Sequence, residues 1–243
     1  MVGALPLSRY AVAFALIQAL FLSALLSACG GPAPTPTPTP TPSANPMVAK
    51  VARPAGPERL ILAFGDSLYA GYGLDRGQSL PDVVQVRLRR DGINATIVNA
   101  GVSGDTSAAG RQRLAFVLDN LPRKPDLVML GLGGNDVLRQ IPPTETRANM
   151  AAMLDELEKR GLPVLLTGMK APPNLGPEYV AAFDRIWPEL AASHKDTLYP
   201  FILDGVIGNP ALMQGDHVHP NVQGVARIAD KLAPLVGGQF KDR

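Results

Sequence analysis

Short, continuous apolar runs recur along the chain from residue 59 onward, at residues 60–64, 97–98, 127–130 and 164–166. None of these runs alternates between apolar and polar positions. An unbroken apolar run is typical of a strand that is buried on both faces, as in a parallel sheet. The pattern therefore predicts four buried parallel strands.

Segments with helical spacing lie between and after these runs. Their apolar residues recur at i, i+3, i+4 and i+7, which places one apolar stripe on a helix. The three stripes are Leu114, Val117, Leu118 and Leu121; Met150, Met153, Leu154 and Leu157; and Val225, Ile228, Ala229 and Leu232. Alternation of strands and helices predicts an α/β sandwich with a central parallel sheet. Ligands in such folds bind outside the carboxyl ends of the strands, so we expect the chemistry directly after each apolar run.

The first 28 residues have the features of a secretory signal rather than of a folded domain. Arg9 is their only charged residue, an apolar run follows, and small residues precede Cys29. This setting resembles a bacterial lipobox, in which the cysteine is lipidated and becomes the new N-terminus. The alternative is an uncleaved membrane helix, although the run is near the lower length limit for spanning. Cys29 is the only cysteine, so the mature domain holds no disulfide.

A Pro/Thr tract between Pro32 and Pro42 follows, within a predicted linker of residues 29–57. Proline fixes φ and donates no backbone hydrogen bond, so this tract favours an extended spacer. Residues 58–240 form the predicted catalytic domain. Removal of residues 1–28 leaves 22 basic and 21 acidic side chains. A net charge of +1 gives no electrostatic reason to expect a nucleic acid as partner.

Candidate catalytic residues follow three of the apolar runs. Ser67 comes directly after the first, in Gly-Asp-Ser-Leu, where a hydroxyl can be presented at the top of the sheet. Taken alone, the motif fits an ordinary helix cap better than a nucleophile. Gly104 lies in a glycine-rich loop whose backbone N–H can serve an oxyanion, with a helix cap expected at the following residues. Asn135 supplies a neutral amide donor, with a simple Asn/Gly turn as the alternative.

The last candidate site is the segment Asp216-His-Val-His-Pro. Asp216 and His219 are three residues apart, which can place both side chains on one side of a turn. A carboxylate on one imidazole nitrogen fixes the tautomer and leaves the other nitrogen to accept a serine proton. His217 is the weaker candidate for the base. His194 lies at the polar end of an Ala-rich helix and is predicted to be a surface residue.

These four segments, in this order, resemble the SGNH (GDSL) hydrolase superfamily over about residues 59–236, and most closely its bacterial thioesterase I/lysophospholipase/arylesterase branch. The resemblance implies a flavodoxin-like three-layer α/β/α fold. It also implies that Ser67 is the nucleophile, His219 the general base and Asp216 its orienting carboxylate. The oxyanion hole would consist of the Ser67 and Gly104 N–H groups and the Asn135 side chain. A serine esterase of this type acts on carboxylic esters, lysophospholipids or acyl thioesters and needs no metal or cofactor.

One loop departs from the pattern of that branch. Its substrate-binding loop usually carries a larger apolar residue before the first proline, whereas this chain has Ala171 followed by Pro172 and a second proline. Ala171 and Pro172 are still expected to contact substrate. Leu175 and Met213 either line the acyl site or pack the loop. The acyl-chain preference therefore cannot be carried over from the resemblance.

Two other functions fit parts of the same sequence. A carbohydrate O-deacetylase uses the same catalytic machinery, and a surface lipoprotein that has lost catalysis would only bind lipid or glycan. We expect a monomer tethered to a membrane through a lipid on Cys29. Gly30 stands where an aspartate would follow the lipidated cysteine in some Gram-negative lipoproteins. That resemblance implies the outer membrane, facing the periplasm.

Overall fold

The computed structural model describes residues 51–241. The predicted signal peptide, the predicted lipidation site at Cys29 and the Pro/Thr tract lie outside these residues. Five parallel strands form one sheet in the order β2-β1-β3-β4-β5. They are β1 (Arg59–Gly65), β2 (Ala95–Gly101), β3 (Leu127–Gly131), β4 (Val164–Thr167) and β5 (Thr197–Tyr199). The predicted α/β sandwich is confirmed.

The burial of each strand follows its place in the sheet. Strands β3 and β4 are buried along their whole length, and β1 is buried from Leu60 onward. Ile97 and Val98 of β2 are only half-buried, so the prediction that both faces of this run are covered was wrong. The reason is that β2 is an edge strand, which pairs on one side only. The other edge strand, β5, was not predicted, because three residues are too short a run to show a pattern.

Eight α-helices connect or follow the strands of the described part of the chain. They are α1 (Ser67–Ala70), α2 (Leu80–Arg90), α3 (Ser107–Asp119), α4 (Gly134–Leu138), α5 (Pro143–Lys159), α6 (Pro177–Asp184), α7 (Ile186–His194) and α8 (Val222–Gly238), with a 3₁₀ turn at Pro173–Leu175. Helix α2 packs against α8, while α5 packs against α3, α6 and α7. These helices flank the sheet and cover its apolar strands.

The three predicted apolar stripes lie on α3, α5 and α8. Their residues are buried except Val117, which is half-buried, and Leu121, which follows the end of α3. Side-chain caps begin two of these helices: Thr106 accepts a hydrogen bond from the Ala109 N–H, and Asn221 accepts from Gln223 and Gly224. Among residues 51–241, no helix combines the length and apolar character that crossing a bilayer requires.

Candidate active site

The order of the strands places the candidate site where neighbouring chain connections diverge. The chain leaves β1 toward β2 on one side, and β3 pairs with β1 on the other side. In open α/β sheets the crevice at such a switch point, outside the carboxyl ends of the strands, is the usual ligand site. Ser67 follows β1 and Asn135 follows β3. Both predicted residues therefore lie at this crevice.

Ser67 is the first residue of α1 and follows the end of β1, at Gly65, by two residues. The preceding Asp66 is the N-cap, and its carboxylate accepts a hydrogen bond from the Leu68 N–H at 3.0 Å. Gly65 permits the tight passage from strand to helix, because a Cβ there would lie 2.6 Å from the Gly131 carbonyl oxygen. The helix cap and the presentation of the nucleophile are thus two properties of the same turn.

A continuous hydrogen-bonded chain joins Ser67 to an imidazole and a carboxylate. His219 Nε2 lies 2.9 Å from Ser67 Oγ, and His219 Nδ1 lies 2.6 Å from Asp216 Oδ2. When the carboxylate accepts the Nδ1 proton, Nε2 is left as an acceptor for the serine hydroxyl. The structure therefore brings together all three residues that were predicted as nucleophile, base and orienting carboxylate.

The carboxylate of Asp216 is held by the loop that contains it. Its Oδ1 accepts hydrogen bonds from the backbone N–H groups of Val218 and His219, each at 3.0 Å. Desolvation acts to raise the pKa of Asp216, but these bonds and the His219 side chain outweigh it and lower the pKa to about 2. Asp216 is consequently ionised at any pH well above 2.

His217 does not join this chain of contacts. It is exposed, has a φ of 58°, and its backbone N–H donates to the Gln214 carbonyl. Pro220 precedes the cap of the next helix, because α8 begins at Val222 with Asn221 as its N-cap. Asn221 therefore starts the helix, and the preceding residues 216–220 form the loop that carries Asp216 and His219, called here the catalytic loop.

Gln214 links the catalytic loop to the segment that follows α1. Its backbone N–H donates to the His219 carbonyl at 2.7 Å, and its side-chain amide donates to the carbonyls of Tyr72 (2.7 Å) and Pro220 (3.0 Å). The Tyr72 ring packs on the His219 imidazole with centroids 4.5 Å apart. A Cβ at Gly73, whose φ is +70°, would lie 2.2 Å from Gln214 Oε1. Sequence reasoning missed Gln214, although it stands two residues before Asp216.

Two of the three candidate oxyanion donors, Asn135 and Gly104, come from adjacent loops. Asn135 lies in the first turn of α4, and its side-chain amide donates to the Asp105 carbonyl at 2.9 Å. Gly104 directly precedes Asp105 in the other loop and has a φ of 88°. Its carbonyl accepts a hydrogen bond from the Arg139 side chain at 2.9 Å. These bonds fasten the Asn135 loop to the Gly104 loop.

Asp136, next to Asn135, braces the loop that carries Asn135. Its carboxylate is fully buried and accepts hydrogen bonds from the Ser107 N–H (2.8 Å), the Ser107 hydroxyl and the Thr146 hydroxyl (3.0 Å). A buried carboxylate requires such donors. The three bonds join α4 to α3 and α5, which fixes the turn that presents Asn135.

Arg113 is a second supporting residue that sequence reasoning missed. Its guanidinium donates to the carbonyls of Gly65 (2.9 Å) and Ala100 (2.8 Å) and to the Asp105 carboxylate (2.6 Å). It therefore ties together the ends of β1 and β2 and the loop that receives Asn135. The one sequence signal for it is its position beside the buried residues Gly110 and Leu114 of α3.

Asp66 is the buried carboxyl nearest the nucleophile. Desolvation raises its pKa from 3.8 to about 6, and the nearby charges of Asp136 and Asp105 act in the same direction. The Leu68 N–H and His219 act against this rise. Asp66 is therefore mostly ionised above a pH of about 6 and mostly neutral below it.

A mainly apolar cavity of about 480 Å³ adjoins Ser67, Asn135 and His219. Its size is within the usual range for small-molecule sites. The predicted contact residues Ala171 and Pro172 line it, together with Val137, Leu138, Met169, Pro173, Phe201, Leu203 and Ile207. Met213 lies in the buried core and Leu175 packs against that core. The Ala171 N–H donates to the Asp184 carboxylate at 2.8 Å, which fixes the Pro-rich loop.

The chain is similar to several known esterases. Residues 63–227 match the GDSL-like lipase/acylhydrolase family. The chain is 41% identical over 176 residues to esterase TesA of Pseudomonas aeruginosa, covering 72% of this chain and 87% of that protein. It is 36% identical over 173 residues to an arylesterase of Vibrio mimicus, and the match covers 71% of this chain and 86% of that protein. The crystal structure of AlinE4, an SGNH-hydrolase family esterase, superposes on this chain with a TM-score of 0.66 and a sequence identity of 52%. The superposition covers 76% of this chain and 98% of the AlinE4 chain.

Proposed function

This chain belongs to the GDSL-like lipase/acylhydrolase family and is a serine esterase, and we propose that it prefers carboxylic esters whose acyl or aryl group is apolar. The observation that carries this proposal is the apolar cavity of about 480 Å³ directly beside the Ser67–His219 hydrogen bond. Apolar surface in such a cavity gains free energy by leaving water.

The contacts of Ser67 support an acyl-enzyme mechanism. His219 Nε2 accepts the Ser67 hydroxyl proton as Ser67 Oγ attacks the ester carbonyl carbon. The C=O electron pair moves onto oxygen, and the amides of Asn135, Gly104 and Ser67 stabilise this oxyanion. The intermediate collapses, the C–O bond to the leaving group breaks, and His219 returns the proton to the departing alcohol. Water then repeats these steps on the acyl-enzyme and releases the carboxylic acid.

The lining of the cavity favours an acyl or aryl ester over an acetylated carbohydrate. A sugar carries many hydroxyl groups that require hydrogen-bond partners once they leave water. The lining near Ser67 is instead supplied by side chains such as Val137, Met169 and Leu203. Exposed Leu138 and Ile207 extend this apolar surface to solvent, which suits a substrate with a hydrocarbon chain.

A panel of p-nitrophenyl esters of increasing acyl length tests the substrate class, extended by an acyl thioester and a lysophospholipid. We expect kcat/KM to rise from acetate to longer chains, because each buried CH₂ contributes about 0.8 kcal/mol. A sharp preference for acetate, with activity on acetylated glycans, would contradict the proposal and favour a deacetylase.

Labelling with an organophosphonate separates an esterase from a protein that only binds lipid or glycan. We expect one labelled serine, at Ser67, and complete loss of labelling and hydrolysis in Ser67→Ala. Ser103→Ala is the matched control, because Ser103 is exposed on a neighbouring loop and makes no contact in the proposed mechanism. Full hydrolysis by purified Ser67→Ala would contradict the assignment of the nucleophile.

We also propose that the enzyme is an exported, monomeric lipoprotein of the outer membrane, facing the periplasm. The support is the charge at Arg9, the apolar run and the position of Cys29 before the Pro/Thr tract. Mass spectrometry of the N-terminal peptide should find lipid on Cys29, and Cys29→Ser should move activity from the membrane to the soluble fraction. Recovery of unlipidated wild-type protein in a detergent-free supernatant would contradict the anchor, and light scattering tests the monomer.

A further inference from the structure

We propose that Asp155, Glu158 and His194 form a binding site for a divalent transition-metal ion such as Zn²⁺, separate from the esterase site. Asp155 and Glu158 are one helical turn apart on α5, and His194 is the last residue of α7. One possible ligand atom from each of the three lies within 4.8 Å of the other two. Carboxylate oxygens and an imidazole nitrogen are ligands that Zn²⁺ uses in proteins.

The histidine of this group is already held in place. Its side chain is only 12% exposed, in contrast to the surface position that the sequence predicted. His194 Nδ1 lies 3.2 Å from Glu158 Oε2, and His194 Nε2 lies 3.7 Å from Asp155 Oδ1. The two carboxylates are more than 70% exposed, so they can turn toward an ion bound at the imidazole at little cost in packing.

A cavity of about 380 Å³ adjoins the group and adds a third carboxylate, that of Asp196. Glu158, His194 and Asp196 all line it. Asp196 is half-buried, two residues after His194. A divalent cation in this cavity would offset the accumulated negative charge and the desolvation of Asp196. Lys195, also in the lining, is the neighbouring group that opposes a cation.

The place of this site in the fold indicates a structural role. Val164 and Thr197, which begin β4 and β5, also line the cavity. The cavity therefore lies at the amino ends of the strands, whereas the esterase site lies at their carboxyl ends. A bound ion would join α5 to the end of α7. We expect it to stabilise the fold and to leave the hydrolysis of esters unchanged.

Calorimetric titration of the full-length protein with ZnCl₂ tests the site. Wild type should bind one ion that His194→Gln and Glu158→Gln both fail to bind. Glu145→Gln is the matched control, because Glu145 is an exposed carboxylate on the same helix. Every sample carries the same N-terminal segment, so any Zn²⁺ bound by Cys29 contributes equally. Equal Zn²⁺ uptake by wild type and both variants, or none by wild type, would overturn the proposal.

Thermal unfolding and esterase activity give a second readout that is independent of the titration. Zn²⁺ at about a hundredfold excess over its Kd should raise the Tm of wild type by roughly 5–10 °C, and not that of Glu158→Gln. Ester hydrolysis should stay unchanged at that concentration. Inhibition without a rise in Tm would instead place the ion at the catalytic histidine and contradict the proposed site, while leaving the proposed esterase function intact.

Discussion

The side-chain amide of Asn135 donates a hydrogen bond to the backbone carbonyl of Asp105, with the nitrogen and oxygen 2.9 Å apart. A primary amide has two N–H groups. One is committed to the Asp105 carbonyl, which fixes the plane of the amide and leaves the second for an oxyanion. The donor is therefore oriented before substrate arrives, so orienting it costs little free energy in the transition state.

This arrangement predicts that Asn135→Ala lowers kcat by about 10²–10³. The loss should fall mainly on kcat rather than KM, because the bond to oxygen strengthens as negative charge develops there. Steady-state kinetics with a p-nitrophenyl ester measures both constants. Asn120→Ala, an exposed helix C-cap, is the control and should keep wild-type values. An unchanged kcat in Asn135→Ala would exclude Asn135 from the oxyanion hole.

The two histidines of the catalytic loop are expected to differ sharply. His219→Ala removes the acceptor of the Ser67 proton and should abolish nearly all hydrolysis. His217→Asn should retain most activity, because His217 is exposed and asparagine tolerates its φ of 58°. Rates of both variants, with circular dichroism to verify folding, check the prediction. The reverse result would move the base by two positions.

Gln214 is expected to act as a positioning residue for His219. Gln214→Ala removes the amide that joins the carbonyls of Tyr72 and Pro220, so the His219 loop gains freedom. We expect kcat to fall at least tenfold with little change in KM, because geometry for proton transfer is lost while the acyl cavity is intact. Gln214→Glu retains the chain length but loses the donor and should resemble the alanine variant. A change in Tm alone, with normal kcat, would show that Gln214 only stabilises the fold.

The raised pKa of Asp66 predicts a pH-dependent stability. Between a pH of about 4 and about 6, the folded protein retains a proton at Asp66 that the unfolded chain has released. The free energy of unfolding therefore falls as the pH rises through this window and stays lower above it, by about 3 kcal/mol.

Asp66→Asn keeps an acceptor for the Leu68 N–H but removes the titration. Wild type loses stability between pH 4 and pH 7, and this variant should not. The free energy of unfolding of the variant, relative to that of wild type, should therefore rise by up to about 3 kcal/mol over this range. Urea denaturation at both pH values measures the difference. Desolvation also raises the pKa of Asp196, but this contribution to stability is the same in both proteins and cancels from the difference between them. Parallel stability curves for the two proteins would show that Asp66 has an ordinary pKa.

Several features of the site could not be predicted from local sequence. The Arg113 side chain binds Gly65 and Asp105, which are 48 and 8 residues away, and these contacts depend on how α3 lies across the strand ends. The half-burial of Ile97 was missed because a run of apolar residues does not reveal whether its strand lies at an edge. His194 was expected at the surface, because the sequence does not show that α7 ends beside α5.

The sequence by itself determined four of the five described strands and three of the helices, and it identified the candidate catalytic residues. Both depend on local periodicity and on side-chain type, as with Asp216 and His219, whose contact spans one turn. Only the tertiary structure decided that His219 meets Ser67, which is 152 residues away, and that an apolar cavity adjoins them. Such contacts depend on the order of parallel strands, because strand order determines which carboxyl ends are neighbours, and no local pattern encodes that order.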